Sequence, residues 1–250
     1  MDNVIELMNK HTSVRNFKDT PLTDRVKEQL IVAAHAGASS NFVQATSIID
    51  VTDRTIRGQL AEISKSASYV NQSGAFFIFV ADLYRQAEIL RQQNLPLDGI
   101  KNMEALTVAI VDTAISGENL AVAAESLGLG ICYIGGIRND LATVRDLLNL
   151  PKFTVPLFGI TVGEPTRKNA VKPRMPLRNN TFKNGYDRQA ARDLSQYQAI
   201  TQTYYAKRAT HAQDTDWVRK MTDFFAEPRR REMAPFLLAQ GLLVTLRYQI

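Results

Sequence analysis

Three polar side chains near the amino terminus are of suitable types, and are suitably spaced, to bind an anion together. His11, Ser13 and Arg15 occupy alternate positions of the segment HTSVRNF, and alternate residues of an extended segment point to the same side. An imidazole, a hydroxyl and a guanidinium on one face offer several hydrogen-bond donors to a phosphate. The ordinary polar edge of a strand has the same pattern, so the spacing alone leaves both interpretations open.

Two other segments could approach a ligand of this kind. The tripeptide KPR places Lys172 and Arg174 on alternate positions, with a proline between them that stiffens the backbone. Gly135 and Gly136 allow the backbone to come close to a flat ligand. Each signal is weak by itself, because a glycine pair is more often a simple turn and KPR is usually exposed loop.

The sequence lacks the common motifs of side-chain catalysis and of nucleotide-binding loops. It contains no GxGxxG, P-loop, GxSxG or HExxH pattern. The three histidines are scattered, and the single cysteine, Cys132, lies in an apolar strand pattern. No zinc-ligand spacing exists, and we expect no metal site. The residues present suit a bound phosphate group better than catalysis by side chains alone.

Helices and short strands are predicted along the first two thirds of the chain. The segments TSIIDV, AFFIFVA (75–81), ICYI and VPLFGITVG are β-branched or aromatic and predict strands. Helical spacing follows Thr23 as far as Gly37, spans 56–63, and resumes after Asn139 or Asp140 as the cap. These elements do not alternate strictly, which indicates an α+β fold.

The longest regular feature is a helix predicted over residues 103–127 and closed by Gly128. Apolar residues occupy nearly every face of it, as is typical of a buried helix. Beyond residue 165 the chain becomes polar, in TRKNAVKPRMPLRNN, and then helical in AARDLSQYQAITQTYYAKR and DWVRKMTDFFAE. We expect residues 1–165 to form the core, and residues 166–250 to be a loop and basic helices that complete the same domain.

Composition favours a soluble globular protein of the cytoplasm. The chain has 250 residues, of which 45% are hydrophobic and 22% charged. No apolar run reaches the roughly 18 residues of a membrane helix, and the start MDNVIELMNKH does not resemble a secretory signal. One cysteine fits a reducing compartment. We therefore expect a cytoplasmic protein with no membrane partner.

The positive charge is concentrated toward the carboxy terminus. The net charge is +5, yet residues 166–232 hold 15 lysines and arginines against 7 acidic residues. Such asymmetry favours an anionic partner, unless the basic helices are merely solvated faces. Aromatic residues do not interleave with the basic ones as in nucleic-acid-binding surfaces. We therefore expect a phosphate-bearing cofactor rather than nucleic acid.

Taken in order along the chain, these motifs resemble those of a known family. HTSVRNF, AESLGLGICYIGGIRN, VPLFGITVGEP and KPRMP occur in the order seen in FMN-dependent NAD(P)H nitroreductases. The most similar group is oxygen-insensitive nitroreductase A together with flavin reductase P. The resemblance runs over residues 3–176 and continues weakly through YYAKR. It implies a nitroreductase-like α/β/α sandwich that forms an intertwined homodimer, with the carboxy-terminal helices covering the active site.

The resemblance also implies a cofactor, a reaction and site residues. FMN would take a hydride from NADPH, or from NADH, and reduce nitroaromatics, quinones, flavins or other small planar acceptors by a ping-pong mechanism, without a catalytic side chain. The resemblance implies that Ser39 and Ser40 contact the flavin that is bound by the partner subunit. The remaining implied contacts are His11, Thr12, Ser13, Arg15, Tyr133, Ile134, Gly135, Gly136, Lys172 and Arg174.

Two departures from the family pattern affect these expectations. Ala67 stands where the family group commonly has a glutamine that contacts the flavin, which could alter the redox potential or the acceptor preference. Arg208 is retained where an arginine grips the 2′-phosphate of NADPH, but other arginines are replaced by THAQ. A dedicated flavin reductase, a flavin-binding redox sensor with slow turnover, and a basic nucleic-acid-binding protein remain the alternatives.

Overall fold

An antiparallel sheet lies at the centre of the computed structural model, which describes residues 3–208 and 212–243. Its strands are arranged in the order β1-β2-β4-β3. Each strand is rich in β-branched or aromatic residues, as the sequence predicts. The strands are β1 (Thr46–Asp50), β2 (Ala75–Asp82), β3 (Gly130–Ile134) and β4 (Thr154–Gly163). All four predicted strands are confirmed to within two residues at each end.

Eleven α-helices surround or follow the sheet in the described residues. The predicted cap at Thr23 accepts a hydrogen bond from the amide of Val26, and Asp140, rather than Asn139, caps the helix after β3. The helices are α1 (Val4–Asn9), α2 (Asp24–His35), α3 (Arg54–Ile63), α4 (Ala67–Gln72), α5 (Tyr84–Gln92), α6 (Met103–Ser126), α7 (Leu141–Leu147), α8 (Arg188–Arg192), α9 (Ser195–Ala206), α10 (Trp217–Phe225) and α11 (Met233–Ala239).

Strand β2 is buried on both faces, and its alternation defines three layers. Phe77 and Phe79 pack with the residues of α2 and α6, whereas Phe76, Ile78 and Val80 pack with those of α3, α4 and α7. Successive side chains of a strand point to opposite faces, so helices cover both sides of the sheet. The expected α/β/α sandwich is confirmed.

Helix α6 spans 24 residues and is the predicted long helix. It ends one residue before the predicted end, and Gly128 follows at φ +78°, a left-handed conformation that glycine adopts without strain. Among the described residues it is the one helix that is long and apolar enough to span a membrane, by length and composition only. Leu106, Ala109 and Leu120 are buried, so α6 is a core helix of the sandwich.

The described residues divide into two units. The core unit contains residues 3–169 and returns with residues 230–243, where α11 and Leu242 join the core around Phe153. The excursion unit contains residues 170–229, with α8, α9 and α10. The helical pattern predicted in AARDLSQYQAITQTYYAKR forms two helices, α8 and α9, because Asp193 lies between them and its carboxylate accepts hydrogen bonds from Ser195. The boundary expected at residue 165 stays a prediction.

Candidate functional site

The segment that carries His11, Ser13 and Arg15 is fixed to the edge of the sheet. The amide of Val14 donates to the carbonyl of Ile131 in β3 at 2.8 Å, and the Val14 side chain is 1% exposed. Gly130 makes this approach possible, because a Cβ there would lie 2.6 Å from Val14 Cγ2. Asn169 also donates to the carbonyl of Ser13. Residues 11–15 therefore form a strap held beside β3.

The imidazole of His11 is oriented by a carboxylate of the central helix. Its Nδ1 lies 2.7 Å from Oε1 of Glu125, near the end of α6. The Glu125 side chain is 13% exposed and that of His11 is 28% exposed. The contact with Glu125 therefore fixes the orientation of the His11 ring beside the strap.

The glycine turn after β3 lies against the loop that precedes α4. A Cβ on Gly136 would be 2.2 Å from the carbonyl oxygen of Ser64, a distance that only glycine permits. Tyr69 follows in α4, and its hydroxyl lies 2.7 Å from Ser66 Oγ. The guanidinium of Arg15 lies over the Tyr69 ring, 5.9 Å from its centre. These contacts bring Arg15, Gly136 and the Ala67 region into one neighbourhood.

Tyr133, the residue before Ile134 and the glycine turn, is held against α6. Its hydroxyl donates to Oε2 of Glu118 at 3.1 Å, and its ring meets that of Phe158 edge-on, with centres 5.2 Å apart. Burial and the neighbouring Glu118 carboxylate raise the pKa of Tyr133 above its ordinary value. The phenol is thus a neutral donor at physiological pH.

Ser39 and Ser40 contact a different part of α6 from the part that His11 contacts. Both are hydrogen-bonded to Asp112, through Ser39 Oγ at 2.7 Å and the Ser40 amide at 3.2 Å. Asp112 and Glu125 are 13 residues apart, about 20 Å along a helix and on opposite sides of it. One chain therefore does not bring the serine loop to the strap.

The remaining predicted site residues belong to the excursion unit. Lys172 and Arg174 are exposed and flank Pro173, whose carbonyl accepts a hydrogen bond from the hydroxyl of Tyr197 in α9 at 3.2 Å. Tyr197 is 7% exposed, so this loop is pinned to a buried side chain. Arg208 follows α9 directly, and residues 210 and 211 of THAQ lie outside the described residues.

The carboxylates behind the site are the residues that sequence reasoning missed. Asp112, Glu118 and Glu125 each hold a predicted site residue or its loop. A signal existed, because an acidic residue within a largely apolar helix is unusual and needs a partner. Tyr69 was also missed, and nothing in its local pattern marks it.

Family models match nearly all of the chain. Residues 8–164 match the nitroreductase family, and residues 172–245 match the nitroreductase family, C-terminal domain. The chain belongs to the nitroreductase family. Within that family, it is 38% identical over 238 residues to the oxygen-insensitive NADPH nitroreductase of Salmonella typhimurium, covering 95% of both chains.

Two further relatives extend the likeness of this nitroreductase-family chain. The FMN reductase (NADPH) of Bacillus subtilis is 34% identical over 245 residues, covering 96% of this chain and 98% of the relative. The structure of NADPH:FMN oxidoreductase from Vibrio harveyi, complexed with NAD+, superposes with a TM-score of 0.85. That comparison covers 96% of this chain and 98% of the other, at 34% identity. The resemblance read from the sequence motifs is confirmed.

The described residues fit FMN, the cofactor of the nitroreductase family. The strap offers imidazole, hydroxyl and guanidinium donors, and charge-assisted hydrogen bonds of this kind suit a phosphate. The backbone of the glycine turn is kept close to a second segment without an intervening side chain. No group of three or more metal-ligating side chains exists among the described residues. The individual contacts to the flavin stay predictions.

Proposed function

We propose that this protein is an FMN-dependent NADPH oxidoreductase that reduces nitroaromatics, quinones or flavins. FMN, when bound, accepts a hydride from the reduced nicotinamide and delivers two electrons to the second substrate. The observation that carries the proposal is the hydrogen bond from Val14 to Ile131. It places the donors of residues 11–15 beside the strand that leads into the glycine turn.

The strap and the excursion loop together supply the phosphate-binding groups in this proposal. His11, Ser13 and Arg15 would bind the phosphate and ribityl chain, with Thr12 between them. Lys172 and Arg174 would add two more positive charges. The hydrogen bonds that hold the backbone of each segment support the assignment, because a held backbone loses less conformational entropy on binding than a free one.

The glycine turn beside the strap would contact the flat ring of the cofactor. Tyr133 and Ile134 lead into it, and the backbone amides of Gly135 and Gly136 would face the ring. A backbone N–H fixed in this way stabilises negative charge that develops near it. The close approach of Gly136 to the Ser64 backbone supports this role, because it leaves no space for a side chain at this position of the turn.

A second copy of the chain would complete each site. Helix α6 exposes an apolar stripe of Met103, Ile110 and Val111, which are 59%, 38% and 47% exposed. Exposed large apolar residues on the same side of a core helix are typical of an interface. Ser39 and Ser40 would then reach the flavin of the partner, which is consistent with their distance from the strap of their own chain. The low cysteine content supports a cytoplasmic location.

The cofactor and its clamp can be tested with one preparation. The purified protein should show a flavin spectrum that bleaches when NADPH is added without oxygen. Arg15→Ala combined with Arg174→Ala should leave a folded protein whose FMN affinity falls at least 100-fold, since each charged hydrogen bond contributes about 1.5–3 kcal/mol. Arg25→Ala with Arg188→Ala removes the same charge from exposed positions and should retain the flavin.

Other outcomes of these measurements would contradict the proposal or favour one of the alternative functions. Full FMN occupancy in the first double variant would contradict the clamp. A bound flavin that neither NADPH nor NADH reduces would favour the redox sensor, to which the alanine at position 67 lends support. A colourless protein that takes up no FMN and binds DNA would contradict the whole proposal. The ratio of kcat/KM for FMN, a quinone and a nitroaromatic separates a flavin reductase from a broader reductase.

Arg208 is proposed to select NADPH. Its guanidinium would pair with the 2′-phosphate that NADH lacks. Arg208→Ala should raise the KM for NADPH about tenfold more than the KM for NADH, and Lys207→Ala, the neighbouring cation, should change the ratio little. Equal effects of Arg208→Ala on both KM values would exclude this role.

A further inference from the structure

A buried carboxylate holds the loop that carries Ser39 and Ser40. Asp112 is 3% exposed in the middle of α6. One of its oxygens accepts hydrogen bonds from Ser39 Oγ at 2.7 Å and from the amide of Ala45 at 3.0 Å. The other accepts from the amide of Ser40 at 3.2 Å. Asp112 therefore contacts both ends of the segment 39–45.

The backbone of this loop is strained between its two ends. Asn41, Phe42 and Gln44 have φ values of 47°, 59° and 52°, in the left-handed region that non-glycine residues rarely adopt. Each such residue costs about 1 kcal/mol or more. A strained conformation persists only where its surroundings determine it, and here the fixed points are the hydrogen bonds to Asp112.

Ser39 transmits the constraint further along the loop. Its hydroxyl donates to Asp112 and accepts from the amide of Gln44 at 2.7 Å. The hydroxyl hydrogen is thus directed at the carboxylate, which leaves the remaining lone pair of Oγ, and the side chain of the exposed Ser40, for a ligand. Carboxylate, hydroxyl and amide form one chain of hydrogen bonds that sets the orientation of both serines.

We propose that Asp112 is a positioning residue for the cofactor site: it preorganises the loop 39–45 so that Ser39 and Ser40 are presented in one orientation. This inference rests on the proposed function, because it assumes that these serines contact the flavin of a second copy. A preorganised loop binds more tightly because it does not have to be ordered at the time of binding. Loss of the carboxylate should therefore weaken FMN binding even while the protein remains folded.

The test compares three variants of the full chain. FMN affinity of the apoprotein is measured by fluorescence titration well below the melting temperature, and amide exchange is measured at Ser40 and Ala45. Asp112→Asn should raise the Kd for FMN at least tenfold and remove the protection of at least one of the two amides, because asparagine keeps only one acceptor oxygen. Thr113→Val is the matched control, since Thr113 is the adjacent, fully buried residue and its hydroxyl donates to the carbonyls of Ala109 and Val80. It should lower stability without changing the Kd. Ser39→Ala should raise the Kd at least threefold.

The outcomes separate this inference from the proposed function. An unchanged Kd in Asp112→Asn, with wild-type FMN binding intact, would overturn the positioning role alone. A wild-type protein that takes up no FMN would overturn the proposed function, while amide exchange would still report on the loop. If Asp112→Asn does not fold, the wild-type protein decides: exchange of Ser40 and Ala45 as fast as the exposed Asn41 would overturn the inference.

Discussion

At the scale of single residues, Gly136 is the position where the site tolerates the least change. The carbonyl oxygen that a Cβ would meet at 2.2 Å belongs to the backbone of Ser64. A backbone atom cannot rotate away as a side chain can, so one of the two segments would have to move. Because Gly136 has no side chain, the glycine turn and the loop before α4 can lie in direct backbone contact.

We expect Gly136→Ala to lower the free energy of unfolding by about 1–3 kcal/mol, the cost of overpacking a filled site. Gly58→Ala is the matched control, because Gly58 lies inside α3 and a Cβ there meets nothing within 4 Å. That change should raise the free energy of unfolding by about 0.5–1 kcal/mol, since glycine is unfavourable in a helix. Urea unfolding of both variants measures the difference. A stability equal to wild type in Gly136→Ala would contradict the close contact.

At the scale of elements, α6 organises the site more than any other helix. Its three carboxylates, Asp112, Glu118 and Glu125, hold the serine loop, Tyr133 and His11 in turn. These groups come from three segments that are far apart in sequence. A single rigid helix therefore sets the spacing between the serine loop and the strap.

The elements were largely predictable from the sequence, whereas their contacts were not. Residues 103–126 are apolar on nearly every face, and the strands are rich in β-branched and aromatic residues. The local sequence pattern was therefore sufficient to predict these elements. The partner of Glu125 is 114 residues away in the chain, and no local pattern contains that information. The break between α8 and α9 is different, because the Asp193 carboxylate accepts a hydrogen bond from the Ser195 hydroxyl only two residues along the chain.

At the scale of the whole molecule, the exposed stripe of α6 predicts association. Ile110→Glu places a charge in the middle of the stripe, and burying that charge in an interface costs several kcal/mol. Light scattering should give the mass of a dimer for the wild type and of a monomer for this variant. Leu177→Glu, at a residue that is 75% exposed in the excursion unit, should remain dimeric. A wild type that is monomeric at micromolar concentration would contradict the proposed dimer.

Cys132 has a practical consequence for following the serine loop in solution. It is the sole cysteine of the chain and is 1% exposed within β3. A buried thiol reacts slowly with alkylating reagents. A cysteine introduced at Phe42, which is 81% exposed at the tip of the loop, would take up a nitroxide or fluorescent label selectively, with the native background intact. Distances between two such labels would then report how the loops of two copies are placed.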